Sequence, residues 1–208
     1  MKICEIFYSI QGEGIDAGLP TVFVRAAGCN LNCRWCDTEY AKSGGIELKI
    51  DDILSRIATY GVKRVCITGG EPLLQIDETL QLIQSLLDRH YHVSVETNGS
   101  MDIRPLLRRV KISMDIKTPS SAMEEEMLFE NIWYLLSSDQ LKFVIADKKD
   151  YDYALNVLKK YPPKCHVIFQ PVGGVDAKWL ADTILRDRLD VRIGLQMHKL
   201  IWGEKRGV

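Results

Sequence analysis

Three cysteines stand within the eight-residue stretch CNLNCRWC, at Cys29, Cys33 and Cys36. Thiolates are soft ligands that favour zinc, copper(I) or iron–sulfur clusters, and the spacing C-x3-C-x2-C on one loop can bring three of them around a single metal centre. A closed zinc site and a cubane cluster both want four ligands. The fourth is missing here, and His90, His92, His166 and His198 all lie far downstream. Zinc would normally have a further Cys or His nearby, whereas a cubane held by three cysteines leaves one iron open to a chelating amino acid. Cys4, Cys66 and Cys165 sit singly in or beside apolar runs and read as small core residues.

The chain has 208 residues, enough for one α/β domain spanning 1–208. Its 27 basic and 28 acidic residues give a net charge of −1, which supplies no global attraction to nucleic acid or an anionic membrane. The runs Glu124-Glu125-Glu126 and Lys148-Lys149 read as solvated helix faces. The opening MKICEIFYSIQGEG lacks a signal peptide's apolar core, and no apolar run approaches the ~20 residues that span a bilayer. A cytoplasmic address is therefore expected, where thiols stay reduced and clustered cysteines serve metals or catalysis rather than disulfides.

Eight β-rich runs recur: 2–8, 21–27, 64–68, 92–96, 110–116, 140–146, 166–170 and 191–196. Helical spacing separates them. Ile53 and Ile57 mark one helix; Leu80, Ile83 and Leu87 another, after a candidate N-cap at Asp77. Leu128, Ile132 and Leu135 predict a third, and Ala154, Leu155 and Leu158 a fourth that starts at Asp150 or Asp152. Leu180, Ile184 and Leu185 mark a fifth, and Pro162-Pro163 is a helix stop. Strands alternating with helices imply βαβ units and a mainly parallel sheet.

The unusual residues fall at the ends of these strands. GCNLNCRWCDT follows the second run, TGGEP (68–72) the third and ETNG (96–99) the fourth. DIKTP (115–119), QPVGG (170–174) and QMHK (196–199) end later runs. In a parallel α/β barrel the C-terminal ends of the strands share one face, where ligands bind and catalysis occurs. The scattered motifs are thus expected to line one pocket.

The three-cysteine spacing, with Trp35 just before the last cysteine and TGGEP one βα unit later, resembles the radical S-adenosylmethionine (SAM) enzymes. That resemblance implies a partial (β/α) barrel in which Cys29, Cys33 and Cys36 hold a [4Fe-4S] cluster. The amino and carboxylate groups of SAM would then supply the missing ligand, and reductive cleavage of SAM would yield a 5′-deoxyadenosyl radical, so the cofactor carries the hard chemistry. Gly69 and Gly70 would let backbone approach the methionyl end of SAM, and Glu71 would receive its ammonium. TGGEP could also be a plain strand-to-helix turn with Pro72 at a helix start.

FYSIQGEG with Gly18 and Arg25, AGCNLNCRWCDT, ETNG and QMHKLIWGEKRGV resemble the 7-carboxy-7-deazaguanine synthase family across nearly the whole chain. The resemblance implies a carbon–nitrogen lyase that contracts 6-carboxy-5,6,7,8-tetrahydropterin to a deazapurine with loss of ammonia. Its product would feed queuosine-type or archaeosine-type bases. It implies magnesium on Thr38, whose alternative is a loop or N-cap role. Trp35, Asp37, Gly70, Glu71, Asp115, Lys117 and Gln170 would contact SAM. Ile10, Gln11, Gly12, Glu13, Arg25, Thr68, Glu96 and His198 would contact substrate. Asn98 belongs on the same rim.

Arg25 has the fork to pair with a substrate carboxylate, its alternative being an ion pair with Glu5 or Glu13. His198 closes the pocket or serves structure. A flavodoxin- or ferredoxin-type donor and a homodimer are further family expectations, with no direct nucleic-acid or membrane partner. Two features depart from the family. Asp115-Ile116-Lys117 stands where many synthases have Ser-Pro-Lys, and is reminiscent of activating enzymes that install a glycyl radical on a partner protein. The tail runs on through EKRGV, so a chain-end contact with substrate does not transfer.

Overall fold

The computed structural model describes residues 1–173 and 175–208. Nine strands form one sheet: β1 (Lys2–Ile10), β2 (Pro20–Ala26), β3 (Ile46–Glu47), β4 (Arg64–Gly69), β5 (His92–Thr97), β6 (Lys111–Ile116), β7 (Gln140–Ile145), β8 (His166–Pro171) and β9 (Arg192–Ile193). Their order is β3-β1-β2-β4-β5-β6-β7-β8-β9. β1 pairs antiparallel with β2 and β3, and every pairing from β2 to β9 is parallel. The sheet is open, a partial (β/α) barrel with two-residue edge strands at either end.

Side-chain alternation along the strands separates core from site. On β7, Leu141, Phe143 and Ile145 enter the apolar core while Lys142 and Val144 line a cavity on the other face. β6 repeats this with Ile112, Met114 and Ile116 in the core and Asp115 in the cavity, and β2 with Val22, Val24 and Ala26 against Phe23 and Arg25. Four helices cover the apolar face: α1 (Ile50–Thr59), α2 (Ile76–Leu87), α3 (Lys148–Lys160) and α4 (Ala177–Asp187). Ile53 and Ile57, Leu82 and Ile83, Ala154 and Val157, and Leu180 and Ile184 are their buried positions, at helical spacing.

A short α5 (Met197–Trp202) follows β9 and buries none of its residues. The loop after β1 folds back toward the strands across the sheet: Ile15 N donates to Gln140 Oε1 at 2.8 Å, and Lys111 Nζ pairs with Asp16 at 2.8 Å. No helix is long and apolar enough to cross a membrane among the described residues.

Several local expectations are corrected. The segment around Ile132 is a 3₁₀ helix, Phe129–Tyr134, not an α-helix. Buried Asn131 explains why: its amide donates to Met101 O at 2.7 Å and Gly99 O at 3.3 Å and accepts from Ile103 N at 3.3 Å, tying a short turn to a neighbouring loop. The cap of α3 is Asp147, which accepts from Asp150 N at 3.0 Å. α2 starts at Ile76, so Asp77 lies in its first turn. Glu124–Glu126 is also a 3₁₀ turn. β9 is only Arg192–Ile193, so QMHK opens α5 rather than ending a strand. Cys66 is buried, whereas Cys4 and Cys165 are only partly so.

Candidate active site

The strand ends converge on one cavity of about 560 Å³. It is lined by Cys29, Cys33, Cys36, Trp35, Asp37 and Thr38 from the loop after β2, and by Thr68 and Gly70 from β4. Glu96 and Asn98 of β5, Asp115 and Lys117 of β6, and Gln170 of β8 also face it. Ile10, Gln11, Gly12 and Glu13 reach it from the end of β1, Arg25 from β2 and His198 from α5.

Glu71, expected beside the SAM ammonium, is the exception and does not line this cavity. Its carboxylate is fully buried and accepts from Leu73 N at 3.0 Å, Asn98 N at 2.7 Å and Thr97 Oγ1 at 2.9 Å. Burial raises its pKa, with these donors opposing. Glu71 is a brace between two loops. The glycines before it also have another reason. A Cβ on Gly70 would stand 2.1 Å from Gly28 O and 2.8 Å from Cys29 Cβ, so the residue must be glycine for the β4 loop to lie against the cysteine loop.

The three thiols face the same cavity. Cys36 N donates to Cys33 O at 3.2 Å, closing a tight turn, and Cys29 Sγ accepts from Leu31 N at 3.5 Å and Asn98 Nδ2 at 3.8 Å. Burial raises the Cys33 pKa; Lys117 opposes this, while the thiols of Cys36 and Cys29 add to it. Among the described residues no three His, Cys, Asp or Glu side chains close on a single ion. Three cysteines on one loop, facing a roomy cavity, suit a cluster whose irons each take a different thiolate. Gln170 supplies a second sign of a ligand: its Oε1 is buried in the cavity wall without a hydrogen-bond partner among the described residues.

Charged side chains form a chain across the cavity. Lys117 Nζ pairs with Asp115 Oδ2 at 2.8 Å, and Lys142 Nζ with Asp115 Oδ1 at 3.2 Å and Glu13 Oε2 at 2.6 Å. Gln196 Nε2 then donates to Glu13 Oε1 at 2.8 Å and Asp37 Oδ2 at 3.0 Å, and Lys199 closes on Asp37 at 3.5 Å. Burial opposes ionisation of Asp115, Glu13 and Lys142, but their mutual charges prevail: both carboxylates shift down and Lys142 shifts well up. Burial likewise opposes Asp37, yet the Gln196 hydrogen bond and Lys199 bring it to about 2.

Lys142 lies outside every expected site motif, and Gln196 and Lys199 are expected there only as parts of QMHK, with no role of their own. Lys142 carried one signal, a lysine inside the otherwise apolar QLKFVIA, while Gln196 and Lys199 gain meaning only when α5 meets the first turn. That meeting is close. Met197 N donates to Gly12 O at 2.8 Å, and a Cβ on Gly12 would stand 2.0 Å from His198 Nδ1.

Around Arg25, the ion pair with Glu5 is present. Nε donates to Glu5 Oε1 at 2.7 Å, and among the described residues neither terminal nitrogen makes a hydrogen bond. Tyr40 OH donates to the same Glu5 oxygen at 2.8 Å. Among the described residues Glu96 has no cation in contact; it accepts from Gln11 Nε2 at 3.1 Å and Thr68 Oγ1 at 2.8 Å. Thr38 occupies an N-cap position without capping, and its hydroxyl donates instead to Asp37 Oδ1 at 2.9 Å. Trp35 is fixed by Nε1 donating to Ser120 Oγ at 2.8 Å, with the Lys117 ammonium 5.6 Å from its ring.

Residues 23–174 match the family model described as the Radical SAM superfamily. The 7-carboxy-7-deazaguanine synthase of Thermoplasma acidophilum is 42% identical over 210 residues, covering 100% of both chains. That of Chlorobaculum tepidum is 43% identical, covering 100% of this chain and 97% of its own. The crystal structure of QueE from Escherichia coli shares the fold at a TM-score of 0.78 and 24% identity, over 95% of this chain and 94% of that one. The chain belongs to the radical SAM superfamily and, within it, to the 7-carboxy-7-deazaguanine synthase family.

Proposed function

We propose that this chain contracts 6-carboxy-5,6,7,8-tetrahydropterin to 7-carboxy-7-deazaguanine with loss of ammonia. Membership of the superfamily implies a [4Fe-4S] cluster and SAM. When bound, these supply the one-electron chemistry that removes and returns a substrate hydrogen. The chain's own work is to bind, orient and charge-match.

The observation that carries the reading is the uneven charge of the cavity. The ion chain from Lys117 to Lys199 pairs its three cations with Asp115, Glu13 and Asp37, with Glu204 also within reach of Lys199, and leaves no cation free. Outside it stand Glu96, held only by neutral donors, and Arg25, with its terminal nitrogens unengaged among the described residues. A carboxylate and a guanidinium so exposed suit a ligand with N–H groups at one edge and a carboxylate at the other. The 2-amino-4-oxo ring and the 6-carboxylate of the pterin have those two ends. Gln11 and Thr68 hold Glu96 toward the first; Arg25 takes the second.

Glu13 acts differently. Its carboxylate is consumed by Lys142 and Gln196, so it fixes the recognition turn, leaving Ile10, Gly12 and His198 to shape the wall. Cys29, Cys33 and Cys36 hold the cluster. Trp35, Asp37, Gly70, Lys117 and Gln170 form the SAM side, while the Asp115 side chain holds two lysines in place. Thr38, with lone pairs free beside the Asp37 carboxylate, is the magnesium ligand, a hard oxygen for a hard ion that takes few protein ligands. A flavodoxin- or ferredoxin-type donor, a homodimer and delivery of product to deazapurine tRNA modification in the cytoplasm complete the proposal. The activating-enzyme alternative loses its main support, because Asp115 and Lys117 are accounted for by their own ion pair.

The test is an anaerobic assay of reconstituted protein with reductant, SAM, magnesium and the carboxytetrahydropterin. 7-Carboxy-7-deazaguanine in excess over SAM consumed is the expected result, and Cys33→Ala removes it together with the cluster iron. SAM cleavage without pterin conversion would overturn the assignment.

A further inference from the structure

The tail beyond α5 returns to the cavity. Gly203 turns the chain with φ 66°, and residues Glu204, Lys205, Arg206 and Val208 then line the wall beside the cysteine loop. One contact stands out in its geometry. The Arg206 guanidinium lies 3.4 Å from the centroid of the Tyr40 ring, while the Arg25 guanidinium lies 5.9 Å from the same ring and 5.7 Å from Phe7. Tyr40 is therefore shared by two cations, one from β2 and one from the tail.

Among the described residues one carboxylate contacts this cluster, while Glu96 acts on Arg25 from further away. Glu5 Oε1 accepts from both Arg25 Nε and Tyr40 OH, and among the described residues Arg206 makes no salt bridge. Glu204, the acidic residue nearest Arg206 in the tail, is paired with Lys199 at 3.8 Å. Arg25 and Arg206 thus share one contacting carboxylate, and among the described residues Arg206 is left at the cavity wall without an ion-pair partner. Stacking on an aromatic face fixes the guanidinium plane and leaves its N–H edge free to donate.

We infer that Arg206 is a second carboxylate-binding residue, which the tail brings beside Arg25 so that the two guanidiniums share the substrate's carboxylate. The inference rests on the pterin reading above and adds to it a specificity determinant outside the strand-end motifs. Tyr40 is the positioning residue: its ring carries Arg206 and its hydroxyl fixes Glu5, which in turn orients Arg25.

The test compares two ligands on the reconstituted protein by calorimetry: 6-carboxy-5,6,7,8-tetrahydropterin and tetrahydropterin without the carboxylate. Arg206→Ala should weaken the first by about tenfold or more, the scale of one charge-assisted hydrogen bond, and leave the second unchanged. Arg206→Lys should recover part of the loss, and Tyr40→Leu should reproduce part of it. In turnover the Arg206→Ala defect should appear in KM rather than kcat. Equal weakening of both ligands would make the tail a mere cover and overturn the inference, as would no weakening of either. Failure of the pterin reading looks different: the unmodified protein would itself show no preference for the carboxylated ligand and no turnover.

Discussion

The two sides of the cavity are held by unlike forces. On the β2–β4 side the cysteine loop is set by neutral backbone contacts. Gly28 N donates to Ala41 O at 2.8 Å, Glu71 N to Gly28 O at 2.8 Å, and Gly70 leaves no room for a side chain. On the β6–β8 side the wall is set by charge, with Lys142 buried between Glu13 and Asp115. Backbone contacts fix a loop that must offer three thiols at a constant spacing. Compensated charge fixes a surface whose members also meet a polar ligand, and it couples the first turn of the chain to β6 and β7. A fault on one side should therefore read out as lost cluster geometry, and on the other as lost stability with pH and salt dependence.

Removing the central cation strains that contrast most. Lys142→Met leaves Asp115 with Lys117 alone and Glu13 with no cation, only the neutral Gln196 amide, and the expected loss is about 3–5 kcal/mol of unfolding free energy. Denaturant unfolding measures it. Removing the cation together with Glu13, as Lys142→Met with Glu13→Gln, should cost much less, because Asp115 keeps Lys117 and no uncompensated charge remains. If the double variant were as unstable as the single one, packing rather than charge would hold this side.

The opposite side is probed by Gly70→Ala. The added methyl group meets Gly28 O, a backbone atom that can yield only if the cysteine loop moves. Overpacking of this kind costs about 1–3 kcal/mol. The informative readout is iron content after reconstitution, which should fall far more than stability does, with no change in the pH dependence of unfolding. Retained iron would show that the loop adapts and that the glycine is not needed for its spacing.

The same contrast decides what the sequence could disclose. The cysteine loop, the glycines and the strand ends were legible because a backbone-defined site writes itself in spacing and in residues that tolerate close approach. The parallel sheet followed from strand runs whose inward residues, such as Thr68, Glu96 and Gln170, now face one cavity. Residue type does not tell which way the Glu71 carboxylate leaves its turn, which here is toward Leu73 N and Asn98 N. Lys142 was overlooked because its partners lie 129 residues away at Glu13 and on the next strand at Asp115. The 3₁₀ segment at Phe129–Tyr134 carried helical spacing, yet a buried Asn131 overrode it through contacts that spacing cannot show.

Asp37 offers the smallest effect and the finest test, since it sits on the cysteine loop but belongs to the charged chain. Its carboxyl titrates at about 2 in the folded protein against 3.8 ordinarily. A depressed folded value means that the unfolded chain binds the proton first. The stabilisation is thus fully present above pH 3.8 and is lost as the pH falls toward 2. Because the side chain is about half exposed and Lys199 stands 3.5 Å away, solvent and salt screen the pair, so the contribution should not exceed about 1 kcal/mol. Asp37→Asn should flatten the fall in thermal midpoint between about pH 4 and pH 2, most visibly at low salt. At pH 7 the same variant should lose that small increment and keep its cluster iron. Loss of iron in this variant would mean that Asp37 shapes the thiol spacing as well, and the division between a backbone-built side and a charge-built side would fail at the one residue that touches both.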